Sequence, residues 1–136
     1  MPHDFEWKPE YSVHVQKIDD QHKQLLKLIF KLFNAINTNL TKNELGEILE
    51  ELIEYAGYHF ATEEMYFREF DYENADEHIR EHRKFSKKML ELQKKYVNNE
   101  IVISFELIDF LEDWLLEHLF TADQKYIKCF LSHGLK

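Results

Sequence analysis

Residues that interrupt helices are scarce in this chain of 136 residues, which has two prolines and three glycines. Both prolines, Pro2 and Pro9, lie within the first ten residues, so no proline breaks a helix in the rest of the chain. Cysteine is scarcer still, since Cys129 is alone and therefore excludes a disulfide bond within the chain. A single cysteine is typical of a reducing compartment, and we expect the protein in the cytoplasm.

Long apolar runs and an excess of basic residues are also missing. No stretch approaches the roughly 20 apolar residues that a transmembrane helix needs. The first residues lack the basic region and apolar stretch of a secretory signal. The net charge is -9 at pH 7, whereas a nucleic-acid surface needs clustered lysine and arginine. We therefore expect no membrane span and no nucleic-acid partner.

Apolar residues recur at steps of three and four through most of the chain, which is the pattern of amphipathic helices. The pattern predicts an arm at 1–18, helices at about 19–38, 42–68, 75–97 and 101–121, and a short tail helix at about 123–132. Short connections make successive helices antiparallel neighbours. The predicted fold is therefore all-α, an up-down-up-down four-helix bundle that forms one domain over 1–136.

The ends of the helices and the arm carry their own signals. Asp19 or Asp20 is predicted to cap the first helix, and Thr41 the second. The arm is predicted to pack across the bundle through four apolar residues, namely Phe5, Trp7, Tyr11 and Val13.

Five of the eight histidines and two carboxylates continue the apolar faces of these helices. They are His22, His59, Glu63, His78, His82, His118 and Asp123. Residues four apart lie one turn apart on the same face, so the four-residue steps in the second and third helices direct each pair to one side. The five-residue step from His118 to Asp123 rotates by about 140° in a regular helix. We therefore predict that the fourth helix ends, tightens or carries a π-type irregularity between Leu119 and Asp123.

Each of these residues alone has an ordinary interpretation, because a lone histidine on an apolar face is more often a hydrogen-bonded core residue than a ligand. Together, seven inward polar groups would carry a large desolvation cost unless a metal or mutual pairing satisfied them. Seven donors exceed the four ligands of tetrahedral zinc and suit two octahedral irons that share carboxylates. The Glu-x-x-His motif of ferritin-like di-iron sites does not occur, since no glutamate precedes any of these histidines by three residues.

The seven-residue pattern resembles that of the hemerythrin family over most of the chain. The segment 18–23, IDDQHK, is similar to the family's segment around its first ligand, and Trp7 stands where the family often has tryptophan. The resemblance implies two irons, bridged by both carboxylates and by an oxo or hydroxo group. The first iron would take His78, His82 and His118, the second would take His22 and His59, and Glu63 and Asp123 would bridge them.

The resemblance also implies that dioxygen binds at an open position on the second iron. The residues that would wall this pocket are Phe60, Phe67, Trp114 and Leu115. One departure from the family is His14, which stands where relatives tend to have glycine and which we expect at the surface.

The main hypothesis is therefore reversible dioxygen binding at a non-haem di-iron centre, for oxygen storage, delivery or sensing, by a monomer that is not an enzyme. The histidine-rich donor set favours reversible binding over a carboxylate-rich oxidase site. Two alternatives stay open. A di-iron enzyme, such as an oxidase, a peroxidase or a nitric oxide reductase, would turn over repeatedly with a reductant. An interaction module without metal, or with zinc, would differ in its metal content.

Overall fold

The computed structural model describes residues 6–38 and 40–136, and all regular structure in these ranges is helical. The long helices are α1 (Gln16–Ile36), α2 (Lys42–Glu69), α3 (Ala75–Val97) and α4 (Phe105–Phe120), and a short α5 (Ile127–Ser132) follows them. Single 3-10 turns at Pro9–Tyr11 and Asp123–Tyr126 precede α1 and α5. The predicted all-α four-helix bundle is confirmed. Among the described residues, no helix combines the length and apolar character that crossing a bilayer requires.

Contacts at both ends of α2 and α3 establish that these helices are antiparallel. Near the end of α3, the Tyr96 hydroxyl donates to the carbonyl oxygen of Lys42 at the start of α2 (2.7 Å). The Lys42 amino group also hydrogen-bonds to the side chain of Asn99. At the opposite end, His78 in the first turn of α3 lies beside Glu63 in the last third of α2 (3.8 Å). The N-terminal part of α3 therefore meets the C-terminal part of α2, and His22 of α1 and His118 of α4 lie at the same end of the bundle.

Side-chain caps determine where α2 and α4 begin. Thr41 caps α2 as predicted, and its hydroxyl and the Glu44 carboxylate form a reciprocal capping box. Ser104 caps α4 by accepting from the backbone N–H of Leu107. The predicted start of α4 near residue 101 was four residues early, because segment 101–103 has no regular secondary structure and buries Ile103 in the core.

The start of α1 differs from the prediction, and the predicted cap was wrong. The helix begins at Gln16, three residues before the predicted start, and its N-cap residue Val15 makes no side-chain cap hydrogen bond. Asp19 lies inside the helix, where its carboxylate accepts from the hydroxyl of Ser12 (2.5 Å) and the backbone N–H of Val13 (2.9 Å). The carboxylate therefore ties the arm to the first turns of α1 instead of capping the helix.

The arm packs on the bundle through aromatic rings. Tyr11 is buried and contacts Trp7 and Phe120 edge to face, with ring centroids 5.4 and 5.3 Å apart. The prediction for Phe5 lies outside the described residues. His14 is exposed and has a φ of 63°, in the left-handed region that favours glycine. A glycine at this position would adopt the same turn without steric cost.

Two apolar clusters fill the interior, and the predicted ligand residues lie between them. The main core occupies most of the bundle and includes Leu25, Phe60, Phe85 and Leu115. The second cluster lies at one end and comprises Val13, Val15, Ile18, Phe67, Tyr72, Tyr126 and Phe130. Along α1 the chain passes from Ile18 in the second cluster through His22 to Leu25 in the main core. The ligand-type residues thus form a polar layer, here called the histidine layer, between two apolar regions.

Candidate metal centre

All seven predicted ligand side chains meet in the histidine layer, and all are buried. His22, Glu63 and Asp123 have no exposed surface, and His118, the most accessible of the seven, is 4% exposed. Helix α1 supplies one histidine, α2 one histidine and one glutamate, α3 two histidines and α4 one histidine. The regular four-residue steps of α2 and α3 direct each pair inward, as the helical period requires.

Asp123 reaches the layer because the backbone changes course after α4. The helix ends at Phe120, Thr121 has φ -110° and ψ -78°, and a 3-10 turn begins at Asp123 itself. The prediction of an irregular backbone between Leu119 and Asp123 is confirmed, and the irregularity is a helix end followed by a tighter turn. This turn brings the Asp123 carboxylate to the same layer as His118, with Oδ1 3.1 Å from the His118 Nε2.

The seven residues form two groups of potential ligands that overlap in Glu63. One group is Glu63, His78, His82 and His118, and the other is His22, His59, Glu63 and Asp123. Within each group, the ligand atoms all lie within 4.8 Å of one another. Asp123 faces both groups, because its Oδ1 lies 3.0 Å from the His78 Nε2 and its Oδ2 lies 3.2 Å from the His22 Nε2.

Several of these close atom pairs make no hydrogen bond, as is expected of atoms that bind the same metal. The His82 Nε2 lies 3.1 Å from the Glu63 Oε1, yet both atoms are buried without a hydrogen bond. The His22 Nε2 and both Asp123 oxygens are likewise buried and unsatisfied. Ligand atoms bound at right angles to one metal at about 2.1 Å lie about 3.0 Å apart. Because orphaned buried polar atoms are costly, the donor set fits bound metal ions.

The charges of the layer also favour cations. Burial and the nearby Asp123 would raise the pKa of Glu63, but His59 and His82 outweigh them and hold it at about 2. Burial would raise the pKa of Asp123 too, yet His118 and the other histidines hold it well below its usual value. Both carboxylates are therefore ionised at neutral pH. Burial lowers the pKa of His59 to about 3, so this imidazole is neutral, as a metal ligand must be. Burial would also lower the pKa of His82, but Glu63 and Glu64 raise it to about 9, so a metal ion binding there would displace a proton.

Three polar side chains that the sequence did not predict support the layer from outside. The Gln21 Oε1 lies 2.7 Å from the His59 Nδ1, and the Glu64 Oε2 lies 2.9 Å from the His82 Nδ1. The buried Tyr126 hydroxyl donates to the Glu63 Oε2 (2.6 Å). The first two contacts orient the rings of His59 and His82 so that each Nε2 faces the layer, and the third fixes the Glu63 carboxylate. Their sequence signal is proximity, since Gln21 and Glu64 flank ligand residues directly and Tyr126 follows Asp123 by three.

The four predicted pocket residues lie on two sides of the layer. On the main-core side, the Phe60 ring stacks on His82 (4.0 Å between centroids) and the Trp114 ring stacks on His118 (4.5 Å). Together with Leu115 they line an apolar cavity of about 20 Å³, which also borders Leu25. Phe67 lies on the other side, in the second cluster, with its ring 4.8 Å from that of His78.

Comparison with known proteins gives a consistent result. A family model described as the hemerythrin HHE cation binding domain matches residues 13–130. The bacteriohemerythrin of Clostridium acetobutylicum is 30% identical over 127 residues, which cover 90% of this chain and 98% of that protein. The bacteriohemerythrin of Methylococcus capsulatus is 32% identical and is covered over 91% of its length, against 88% of this chain. A crystal structure of wild-type hemerythrin superimposes with a TM-score of 0.87 at 31% identity, covering 91% of this chain and 95% of that one.

Proposed function

This chain belongs to the hemerythrin family, and from that premise we propose that it binds dioxygen reversibly at a non-haem di-iron centre. The biological use would be oxygen storage, delivery or sensing. The observation that carries the proposal is the position of Asp123, whose two oxygens face histidines of different ligand groups. A carboxylate in that position is suited to join two metal ions.

The donor set divides unequally between the two proposed irons. One iron would take three histidines and the other two, and both would share the two carboxylates and a solvent-derived oxo or hydroxo bridge. The proposed ligands are His78, His82 and His118 for the first iron, His22 and His59 for the second, and Glu63 and Asp123 for both. This count gives the first iron six ligands and the second five, so the second keeps a position open for a small molecule. When bound, the two ferrous ions would supply the electrons and the open position that reversible dioxygen binding requires.

The protein's own residues would orient the ligands and keep water away. Gln21 holds the Nδ1 of His59 (2.7 Å), which leaves the Nε2 lone pair directed into the layer. The apolar cavity beside the layer borders Leu25, one turn after His22, and Ala56, one turn before His59. Its volume of about 20 Å³ slightly exceeds the roughly 10–15 Å³ that one water-sized molecule needs. A small apolar molecule fits such a space better than an organic substrate does.

The direct test is an optical spectrum of the iron-loaded protein through repeated oxygen cycles. We expect a visible absorption band that appears with oxygen and disappears when oxygen is removed, over several cycles. The metal-free protein is the control and should give no band. A spectrum that changes permanently after the first exposure would contradict reversible binding.

If the protein were a di-iron enzyme, it would consume its substrate continuously, and a measurement of oxygen consumption would show this. With a chemical reductant present, an oxidase would consume many equivalents of oxygen per chain. A peroxidase or nitric oxide reductase would do the same with hydrogen peroxide or nitric oxide. The binding protein should take up oxygen once per centre and then stop. Sustained consumption that depends on iron would favour the enzyme.

A further inference from the structure

Two of the ligand histidines differ in the charge of the residue that contacts their Nδ1, the outer ring nitrogen that faces away from the layer. The His59 Nδ1 lies 2.7 Å from an amide oxygen, the Oε1 of Gln21. The His82 Nδ1 lies 2.9 Å from a carboxylate oxygen, the Oε2 of Glu64. Both geometries orient the ring, but only the second places a formal negative charge behind it.

The other histidine on the two-histidine side adds to this difference. The His22 Nδ1 is buried and has no hydrogen-bond partner. On this side, therefore, the Nδ1 of His22 has no hydrogen-bond partner, and the Nδ1 of His59 has a neutral amide as its partner. Neither receives the charge that His82 receives from Glu64.

This difference has a chemical consequence for any metal in the layer. An imidazole whose N–H donates to a carboxylate is more basic and becomes a stronger ligand. A stronger electron donor stabilises the more highly charged state of the metal that it binds. An amide partner fixes the tautomer and the ring orientation but adds little donor strength.

We propose that Glu64 is a positioning residue that polarises His82 and makes the three-histidine side of the centre the better stabiliser of ferric iron. Gln21 is its neutral counterpart and keeps the two-histidine side the weaker one. The inference rests on the proposed di-iron centre and extends it, because it assigns unequal redox preferences to the two halves. Glu64 lowers the reduction potential of the centre and helps to retain iron after oxidation.

The position of Glu64 makes this role testable without disrupting the core. Its side chain is 28% exposed, and it lies in a groove of about 620 Å³ between α2 and α3 that also borders Glu91. Glutamine can replace it at the same length and keep a hydrogen bond to His82 while removing the charge. Glu91→Gln removes the same charge from the same groove without a contact to a ligand histidine, and it serves as the matched control.

The experiment compares Glu64→Gln, Gln21→Glu and Glu91→Gln with the wild type in iron-loaded protein. The midpoint potential is measured by optical redox titration, and ferric iron retention is measured by competition with a chelator. We expect Glu64→Gln to raise the potential and to weaken ferric retention by about 10-fold or more, the usual effect of losing such a partner. Gln21→Glu should lower the potential, and Glu91→Gln should change neither quantity.

The outcomes separate this inference from the proposed function. Unchanged potentials in Glu64→Gln and Gln21→Glu, with intact iron and reversible oxygen spectra, would overturn the role of Glu64 alone. An equal shift in Glu91→Gln would also overturn it, because the effect would then be one of general charge. A lower melting temperature of Glu64→Gln without a change of reduction potential would mean that Glu64 contributes only to packing. If Glu64→Gln holds too little iron for titration, an unchanged potential in Gln21→Glu overturns the inference and a lowered one supports it.

Discussion

The histidine layer borders two apolar regions that differ in what they offer to it. On the main-core side, Phe60, Trp114 and Leu115 present only carbon and an indole ring, and they leave a cavity of about 20 Å³. On the side of the second cluster, Tyr126 is fully buried, stacks on Phe130 (4.3 Å) and donates to the Glu63 Oε2. The main-core side leaves an apolar cavity, whereas the side of the second cluster is filled and hydrogen-bonds to a carboxylate.

The difference indicates a division of tasks in the proposed centre. Reversible binding of a small apolar molecule needs a dry space beside the metal, since water would compete for the position and carry protons. Retention of two metal ions needs bridging ligands that do not rotate, which outer hydrogen bonds provide. We infer that the main-core side admits the ligand and that the side of the second cluster keeps the Glu63 carboxylate in place.

The largest effect on stability and iron content is expected when a ligand of the histidine layer is removed. His82→Ala leaves Glu63 and Glu64 without their shared partner, and loss of a buried paired group costs about 3–5 kcal/mol. Loss of metal adds to this cost, because metal binding is coupled to folding. We expect reduced iron content and a lower melting temperature together, while His133→Ala, at an exposed histidine that stacks on Phe70 outside the layer, should leave the iron content unchanged. Full iron content with an unchanged melting temperature would contradict the account.

A cavity mutation on the main-core side tests the role of the dry space. Leu115→Ala and Leu111→Ala both enlarge the same cavity, and each should cost about 2–5 kcal/mol of unfolding free energy. Leu115 lies one turn before His118, whereas Leu111 lies a further turn away. We therefore expect the oxygenated spectrum to decay faster in Leu115→Ala than in Leu111→Ala, with iron retained in both. Equal decay rates would mean that Leu115 contributes only packing.

A smaller change on the side of the second cluster tests how the carboxylate is held. Tyr126→Phe removes the donor to the buried Glu63 Oε2, and leaving a buried acceptor unsatisfied costs about 1–3 kcal/mol. Tyr96→Phe removes a comparable bond, to the Lys42 carbonyl oxygen, at the opposite end of the bundle. We expect both variants to lose stability and only Tyr126→Phe to release iron faster to a chelator. Equal release from both would remove the distinction between the two sides.

The sequence predicted the parts of this arrangement that follow from the helical period. The pairs on α2 and α3 lie inward because residues four apart share a face, and Asp123 required a broken helix because a step of five does not. Segment 101–103 was misassigned because Ile101 and Ile103 stand four residues before Phe105 and Leu107, as residues of one helix would. The Ser104 cap decides the boundary. Asp19 was misassigned as a cap because its partners, Ser12 and Val13, lie in an arm without periodicity.

The sequence pattern did not predict which residues form hydrogen bonds with the ligand histidines. Gln21 on α1 meets His59 on α2, and Glu64 on α2 meets His82 on α3. Such contacts depend on the separation and rotation of packed helices and on side-chain rotamers, which spacing along one helix does not determine. The sequence therefore specified which residues enter the layer but not how each is held there.

An iron titration tests most directly whether Glu63 and Asp123 are shared by two irons, as we propose. Metal-free protein is titrated with ferrous iron without oxygen, and bound iron is measured per chain. We expect binding to continue to two irons per chain, and we expect Asp123→Asn to bind both less tightly, because the two sites would share that carboxylate. Saturation at one iron per chain, or loss of one iron in Asp123→Asn with the other held as tightly as before, would contradict it.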